Sequence, residues 1–280
     1  MTAASTCIQR SLDSNSLREP VFRSVIRTLG LPPGSRGLDA GSGPGLQASL
    51  LAEALEPGGH VTGIDIDPEV VAYGEDRIRR LGLGDRITLY KGDVSSLPFE
   101  DGSFDWAWSA DCIGYPLGEL KPILMELLRV LKPGGGVFLL GWTSQQILPG
   151  YPLLEARLNA TCSGYLPFIE GKKPEMNFLR AMRWMREAGL EQVRANTFVG
   201  EVQAPLSEGE RAALLSLFEM LWIPPETGVM HPQTALSEDW AVYQRLCNPE
   251  SQEFILDLPD YYAFFTYTLF QGKVAKGEIQ

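Results

Sequence analysis

A run of small residues, Leu38-Asp39-Ala40-Gly41-Ser42-Gly43-Pro44-Gly45, separates a short apolar segment ending at Gly37-Leu38-Asp39 from an apolar helix pattern over Leu46–Leu55. Nothing else in the chain restricts the fold as much. Glycine lets the backbone turn tightly and lets a ligand lie against it with no Cβ in the way. A strand, a tight turn and a helix in that order open a parallel α/β sheet, and ligands of such sheets bind outside the carboxyl ends of the strands. The spacing narrows the ligand. A dinucleotide fingerprint, Gly-x-Gly-x-x-Gly, requires a sixth-position glycine where this chain has Leu46, and no Gly-Lys-Ser/Thr follows to make a Walker phosphate loop.

Hydrophobic periodicity extends the same pattern. Ser16 and Glu19 have the spacing of a capping box, and Leu17, Val21, Val25 and Leu29 repeat every fourth residue, which predicts a helix before the first strand. Val61–Asp65 reads as a second strand, followed by a helix capped by Asp67 with Pro68 at its first position and running to about Leu81. Ile87–Tyr90, Phe104–Ser109 and Val137–Trp142 read as strands three to five. Ile123, Leu124, Leu127, Leu128 and Leu131 line one helix face, stopped by Pro133-Gly134-Gly135-Gly136. Beyond residue 143 helices are expected near Leu153–Cys162, Asn177–Ala188, Ser207–Leu221 (a second capping box, Ser207 with Glu210) and Glu238–Cys247. Strands are expected at Gln192–Gln203 and Tyr262–Val274. The last is apolar on both faces, as a strand inside a sheet must be.

Two acidic positions stand where strands end. Asp65 follows the glycine loop by about two dozen residues, where a carboxylate can accept both hydroxyls of a ribose; the plainer alternative, a helix cap, is better filled by Asp67. Asp93, in Lys91-Gly92-Asp93-Val94 after strand three, is by itself a turn former.

The Gly41-x-Gly43-x-Gly45 form resembles motif one of the class I S-adenosylmethionine-dependent methyltransferases. Leu97–Asp105 and Leu128–Gly135 look like the segments flanking strands four and five in the ubiquinone/menaquinone-biosynthesis type of these enzymes. The resemblance covers roughly residues 15 to 142, with strands near 192–203 and 262–274 completing the sheet. It implies a doubly wound, seven-stranded, mostly parallel α/β sheet with a helical insertion between the last two strands, S-adenosyl-L-methionine as cofactor, and methyl transfer to a small organic molecule on O, N or C. It further implies that Asp39, Gly41, Ser42 and Gly43 border the cofactor, that Asp65 and Ile66 hold its ribose side, and that Asp93 takes the adenine amino group while Val94 packs on the base. The Ser109 backbone then lies near the methionine part. One domain is expected, with a cofactor-binding core over 15–142 and the segments 143–176 and 204–260 forming a substrate lid.

Lys plus Arg number 24 against 35 Asp plus Glu, a net charge of -11, and Arg77, Arg79, Arg80 and Arg86 are interleaved with Glu75, Asp76 and Asp85. Such a surface repels nucleic acid and anionic lipid. No apolar run approaches the ~20 residues of a membrane span, and the first residues lack a signal-peptide core. A cytoplasmic protein, monomeric or homodimeric, without stable membrane association is expected. Cys7, Cys112, Cys162 and Cys247 form no CxxC pair, so no metal site is expected. Arsenite methyltransferases, which are similar in fold, hold trivalent arsenic with cysteines in roughly the regions of Cys7, Cys112 and Cys162; the sequence around Cys162 departs from that pattern.

Methyl transfer by direct displacement needs acceptor, methyl and sulfur in line, and orientation alone can lower a barrier by ~7–11 kcal/mol. A base is required only when the acceptor proton is not already lost, so the sequence names the cofactor more clearly than the acceptor. Ser109-Ala110-Asp111-Cys112-Ile113-Gly114-Tyr115 follows strand four; Asp111 can orient an amine, take a proton or cap the next helix. His60 begins strand two, away from the chemistry. His231, in the insertion, is either a base or an exposed loop residue. Aromatics crowd the second half, among them Trp142, Tyr165, Phe168, Trp222 and Phe265, and serve as core or as walls for an apolar acceptor. Two rival readings remain: a regulatory protein that keeps the cofactor pocket without turnover, and an NAD-dependent oxidoreductase.

Overall fold

The computed structural model describes residues 2–55, 57–113, 120–162, 164–222 and 237–276. Its centre is a seven-stranded sheet: β1 (Arg36–Ala40), β2 (His60–Asp65), β3 (Ile87–Lys91), β4 (Phe104–Ala110), β5 (Leu131–Gln146), β6 (Glu191–Gln203) and β7 (Tyr262–Lys273). The order across the sheet is β3-β2-β1-β4-β5-β7-β6. The first five strands pair in parallel, and β7 runs antiparallel between β5 and β6. The expected doubly wound, mostly parallel sheet is present, and the chain order reverses at β1 and β4, where the glycine loop lies.

Ten helices accompany these strands among the described residues: α1 (Ala3–Asp13), α2 (Asn15–Thr28), α3 (Leu46–Ala54), α4 (Pro68–Arg80), α5 (Leu120–Val130), α6 (Pro152–Asn159), α7 (Leu166–Ile169), α8 (Ala181–Glu187), α9 (Glu208–Leu221) and α10 (Ser237–Cys247). One apolar cluster joins α2, α3 and α4 to one face of the sheet and continues into α6, α9 and α10. A second joins α5 and α8 to the other face. Strand β7 serves both: Phe265, Tyr267 and Leu269 enter the first cluster and Phe270 the second, as its two-sided apolar pattern requires. Helices α9 and α10 are the insertion between the last two strands.

Local signals explain most element boundaries. The Asp67 side chain accepts from the backbone N–H of Glu69 and Val70, with Pro68 at the first helical position. Ser207 and Glu210 form a reciprocal capping box at α9, an arrangement in which the cap residue contributes about 1 kcal/mol. The Ser16–Glu19 box does not form. Helix α2 already begins at Asn15, directly after a preceding helix. The Ser16 hydroxyl donates to the Gly209 carbonyl, and Glu19 accepts from Asn15 and Arg23. Strand β5 is longer than expected at both ends. Its start pairs Leu131 with Phe104 across a register shift that absorbs Lys132–Gly135, and past Trp142 it continues by pairing with β7.

Candidate cofactor and acceptor site

The glycine loop joins β1 to α3 at the carboxyl edge of the sheet. Gly41, Gly43 and Gly45 have φ of 81°, 52° and 74°, the left-handed region that side chains disfavour. Gly41 is also crowded: a Cβ there would lie 2.3 Å from Cys112 Sγ. The loop is tied to β2 by the Gly41 and Ser42 amides, which donate to the Ile64 carbonyl.

Three carboxylates stand at or just past the carboxyl ends of β1, β2 and β3, with different partners. Asp39, the next-to-last residue of β1, is 1% exposed, and its Oδ2 has no hydrogen-bond partner among the described residues. Burial, reinforced by the charge of Asp65, pushes its carboxyl up to about 8. The Ser42 hydroxyl is likewise buried and unpartnered. Buried polar atoms without partners are costly and uncommon, and of the four such side-chain atoms among the described residues two flank this glycine turn. Asp65 ends β2 and accepts from the Gly43 amide at 2.9 Å and the Asp67 amide at 3.1 Å, one bond to each oxygen. Each oxygen keeps a lone pair for a ligand hydroxyl. Next to it Ile66 is 66% exposed, an apolar platform beside a polar hook. Asp93, past β3, accepts from the Ser95 amide and hydroxyl through Oδ1, and these bonds hold its carboxyl below the usual range. Its Oδ2 is not used in them. Val94 is half-buried against the second apolar cluster.

The end of β4 closes the other side. Ser109 is buried; its hydroxyl donates to the Ala40 carbonyl, bracing β4 against β1. Asp111 has a task that neither sequence expectation described. Its Oδ1 accepts from the Trp142 amide at 2.8 Å. Its Oδ2 accepts from the Tyr267 hydroxyl at 2.9 Å and forms an ion pair with Arg18. Among the described residues it caps no helix, and both oxygens are engaged, so it is not a free base. Arg18 is the residue that sequence reasoning missed. Its Nε donates to the Tyr267 hydroxyl at 2.8 Å, and its guanidinium lies over the rings of Phe22 and Tyr267. Burial pushes the Tyr267 hydroxyl well above the phenol range. The three partners come from α2, the β4 edge and β7, so no local pattern could have joined them.

The remaining candidates fall elsewhere. His60 lies at the start of β2, with Nε2 3.0 Å from Thr88 Oγ1. His231, Gly114 and Tyr115 lie outside the described residues. Cys112 abuts the glycine loop, and burial, with the charges of Asp65 and Asp39, pushes its thiol up to about 11. Cys7 is exposed on α1 and Cys162 is buried after α6. Among the described residues no three metal-binding side chains converge, and no helix is long and apolar enough to cross a membrane.

Two cavities flank the Asp111 network. One, of about 450 Å³, lies between α1, α2 and α9 and is lined by Thr6, Cys7, Arg10, Ser11, Ser14, Arg18 and Met220. The other, of about 160 Å³, lies beyond β5 among Trp142, Thr143, Gln145, Tyr165, Phe168 and Phe178, and no charged side chain is among its lining residues. Trp142 is held in its wall by stacking on Phe265 at 4.6 Å and by donating to Gln145.

A family model described as a methyltransferase domain matches residues 38–135. A demethylmenaquinone methyltransferase of Staphylococcus aureus is 32% identical over 201 residues, 65% of this chain and 78% of that protein. A crystal structure of an S-adenosylmethionine-dependent methyltransferase from Aquifex aeolicus superposes with a TM-score of 0.52 at 23% identity, covering 70% of this chain and 91% of that one. The Haemonchus contortus phosphoethanolamine N-methyltransferase 2, solved with S-adenosylhomocysteine, superposes with a TM-score of 0.52 at 19% identity, covering 90% of this chain and 52% of that one.

Proposed function

From the chain's membership of the class I S-adenosylmethionine-dependent methyltransferases, we propose that it transfers the cofactor's methyl group by direct displacement to an uncharged, largely apolar region of a small acceptor. The observation that carries this reading is the pair of buried, unpartnered groups at the glycine turn, Asp39 Oδ2 and Ser42 Oγ, beside the Asp65 hook. Asp39 would meet the ammonium of the methionine part, Asp65 the ribose hydroxyls, Asp93 the adenine amino group, and Ile66 with Val94 the faces of the base. When bound, S-adenosylmethionine supplies an electrophilic methyl group on a positively charged sulfur.

The residues of this chain would then do three things. The glycine loop and Asp65 fix the nucleoside end. Ser109, braced on Ala40, fixes the carboxyl end of β4 against that loop. The charge-free cavity beside Trp142 takes the acceptor and keeps water away, which favours dispersal of the sulfonium charge. A cavity without ionic groups suits an aromatic or otherwise apolar acceptor, and the demethylmenaquinone named for the Staphylococcus aureus relative is of that kind. Tyr165, Phe168 and Met176 of the segment 143–176 and Leu221 of α9 line this cavity, and the segments 143–176 and 204–260 would act as its cover.

Calorimetric titration with S-adenosylhomocysteine tests the cofactor half of the reading, with NAD as the control. Saturable heat with the thioether and none with NAD is expected; the reverse pattern would establish the oxidoreductase alternative. Release of S-adenosylhomocysteine on adding an apolar phenolic or quinol acceptor separates turnover from a purely regulatory pocket.

A further inference from the structure

A cofactor bound as proposed above brings a carboxylate as well as an ammonium to the carboxyl ends of β1 and β4. The groups already placed there are acidic, Asp39 and Asp65, and a carboxylate set down among them needs a cation. We propose that Arg18 is that cation: its guanidinium binds the carboxylate of the methionine part, with Asp111 and Tyr267 holding it in position.

Four observations support the assignment. Arg18 is joined to Asp111, and Asp111 lies between Ser109, which donates to the Ala40 carbonyl, and Cys112, whose Sγ abuts Gly41. The guanidinium is therefore bonded to the residue that precedes Cys112, which abuts the glycine loop. Its side chain is only 18% exposed, so it is a cation withdrawn from water rather than a loose surface arginine. Its donors are incompletely used. Nε serves Tyr267 and Nη2 serves Asp111, whereas Nη1 has only Ser14 Oγ at 3.5 Å. A guanidinium offers five N–H donors in a planar fork that matches a carboxylate. Finally, Arg18 and Cys7 line the same 450 Å³ cavity, and the Cys7 thiol is raised by partial burial and then by the charges of Asp65 and Asp67. That cavity leaves open space beside the guanidinium.

The geometry also explains why Arg18 is fixed so firmly. Asp111 accepts from the Trp142 amide with its other oxygen, so the arginine is anchored through one carboxylate to the backbone of β5. The Tyr267 hydroxyl accepts from Arg18 and donates to Asp111. An arginine held by two side-chain partners loses little freedom on meeting a ligand, which is how preorganisation raises affinity.

The test compares two ligands and three proteins, by equilibrium binding alone. S-adenosylmethionine and its decarboxylated form, which keeps the ammonium, sulfonium and nucleoside but lacks the carboxylate, are titrated into wild type, Arg18→Met and Arg18→Lys. Wild type should prefer the carboxylated ligand by roughly 10- to 100-fold, the range of one charge-assisted hydrogen-bonded contact. In Arg18→Met the preference should fall to about twofold, with the affinity for the decarboxylated ligand nearly unchanged; Arg18→Lys should restore part of it. A merely structural role would weaken both ligands alike, and that outcome overturns the proposal, as does a wild type that does not discriminate. Should Arg18→Met fail to fold, Arg18→Lys carries the comparison: a preference as large as in wild type overturns the assignment. Failure of the underlying cofactor reading looks different, since then neither compound would bind wild type.

Discussion

With Asp39 against the ligand ammonium, as proposed above, cofactor binding is a proton-linked event. Burial and then the charge of Asp65 push the Asp39 carboxyl up to about 8, against about 3.9 in an unfolded chain. At pH 7 it is therefore ionised in roughly one molecule in ten. A ligand ammonium set against Oδ2 would draw the proton off, releasing roughly 0.9 proton per molecule bound at pH 7. The affinity for S-adenosylhomocysteine should rise roughly fifty-fold between pH 6 and pH 8, following the ionised fraction, and level off above. Calorimetry in two buffers of different ionisation enthalpy reads the proton directly, and Asp39→Asn should give heats independent of buffer and a flat profile. The sign for the free protein is opposite. An acid raised on folding stabilises the fold fully at pH values below its unfolded pKa, and that contribution is lost as the pH climbs through 8. The stability of wild type relative to Asp39→Asn should accordingly fall by up to about 1.4 kcal/mol per pH unit between pH 5 and 7. Buffer-independent heat in wild type, or an affinity that does not change from pH 6 to 8, would refute the reasoning.

Asp65→Ala should weaken S-adenosylhomocysteine at least about a hundredfold, two charge-assisted bonds being lost. It should lower the unfolding temperature only modestly, because just the Gly43 and Asp67 amides lose an acceptor; calorimetry and a melting curve on the same sample decide, and an affinity within threefold of wild type contradicts the ribose assignment. Gly41→Ala sets a Cβ 2.3 Å from Cys112 Sγ at a φ of 81° and should cost about 1–3 kcal/mol, read from chemical denaturation; an unchanged midpoint would show that the loop can yield. Iodoacetamide at pH 7.5 should alkylate exposed Cys7 first and leave Cys112 and Cys247, whose thiols burial pushes up to about 11 and about 12, unmodified on the same time scale. Peptide mass mapping checks the order, and early labelling of Cys112 would contradict its enclosure.

The legible parts of this chain are those with local causes. The glycine loop, the Asp67 and Ser207 caps and the two-sided strand at Tyr262–Lys273 each depend on residues a few positions apart, and the sheet order follows once the strands are known. Helix α1 was hidden because Thr2, Ser5, Thr6 and Ser11 read as loop residues, while the Thr2 side chain in fact caps the helix. Ser16 and Glu19 misled because a capping box presumes a free helix start, and here α2 follows α1 without a break. Strand five was expected to end at Trp142, but β5 runs on to Gln146, where Ser144, Gln145 and Gln146 pair with β7. The Arg18–Asp111–Tyr267 network spans 249 positions between its outer members, so only the folded chain brings it together.

The position of β7 between β5 and β6 has a consequence for biosynthesis. On a ribosome, β6 emerges well before β7 and meanwhile lacks the neighbour it zips onto; the gap beside β5 stays open until the later strand slides in. Tyr267 arrives with that strand and delivers the hydroxyl that Arg18 awaits. The glycine turn is thus made well before β7, whereas Arg18 gains its Tyr267 anchor only with that strand, and a translation product stalled between them would carry a recognisable fingerprint with an unfinished clamp.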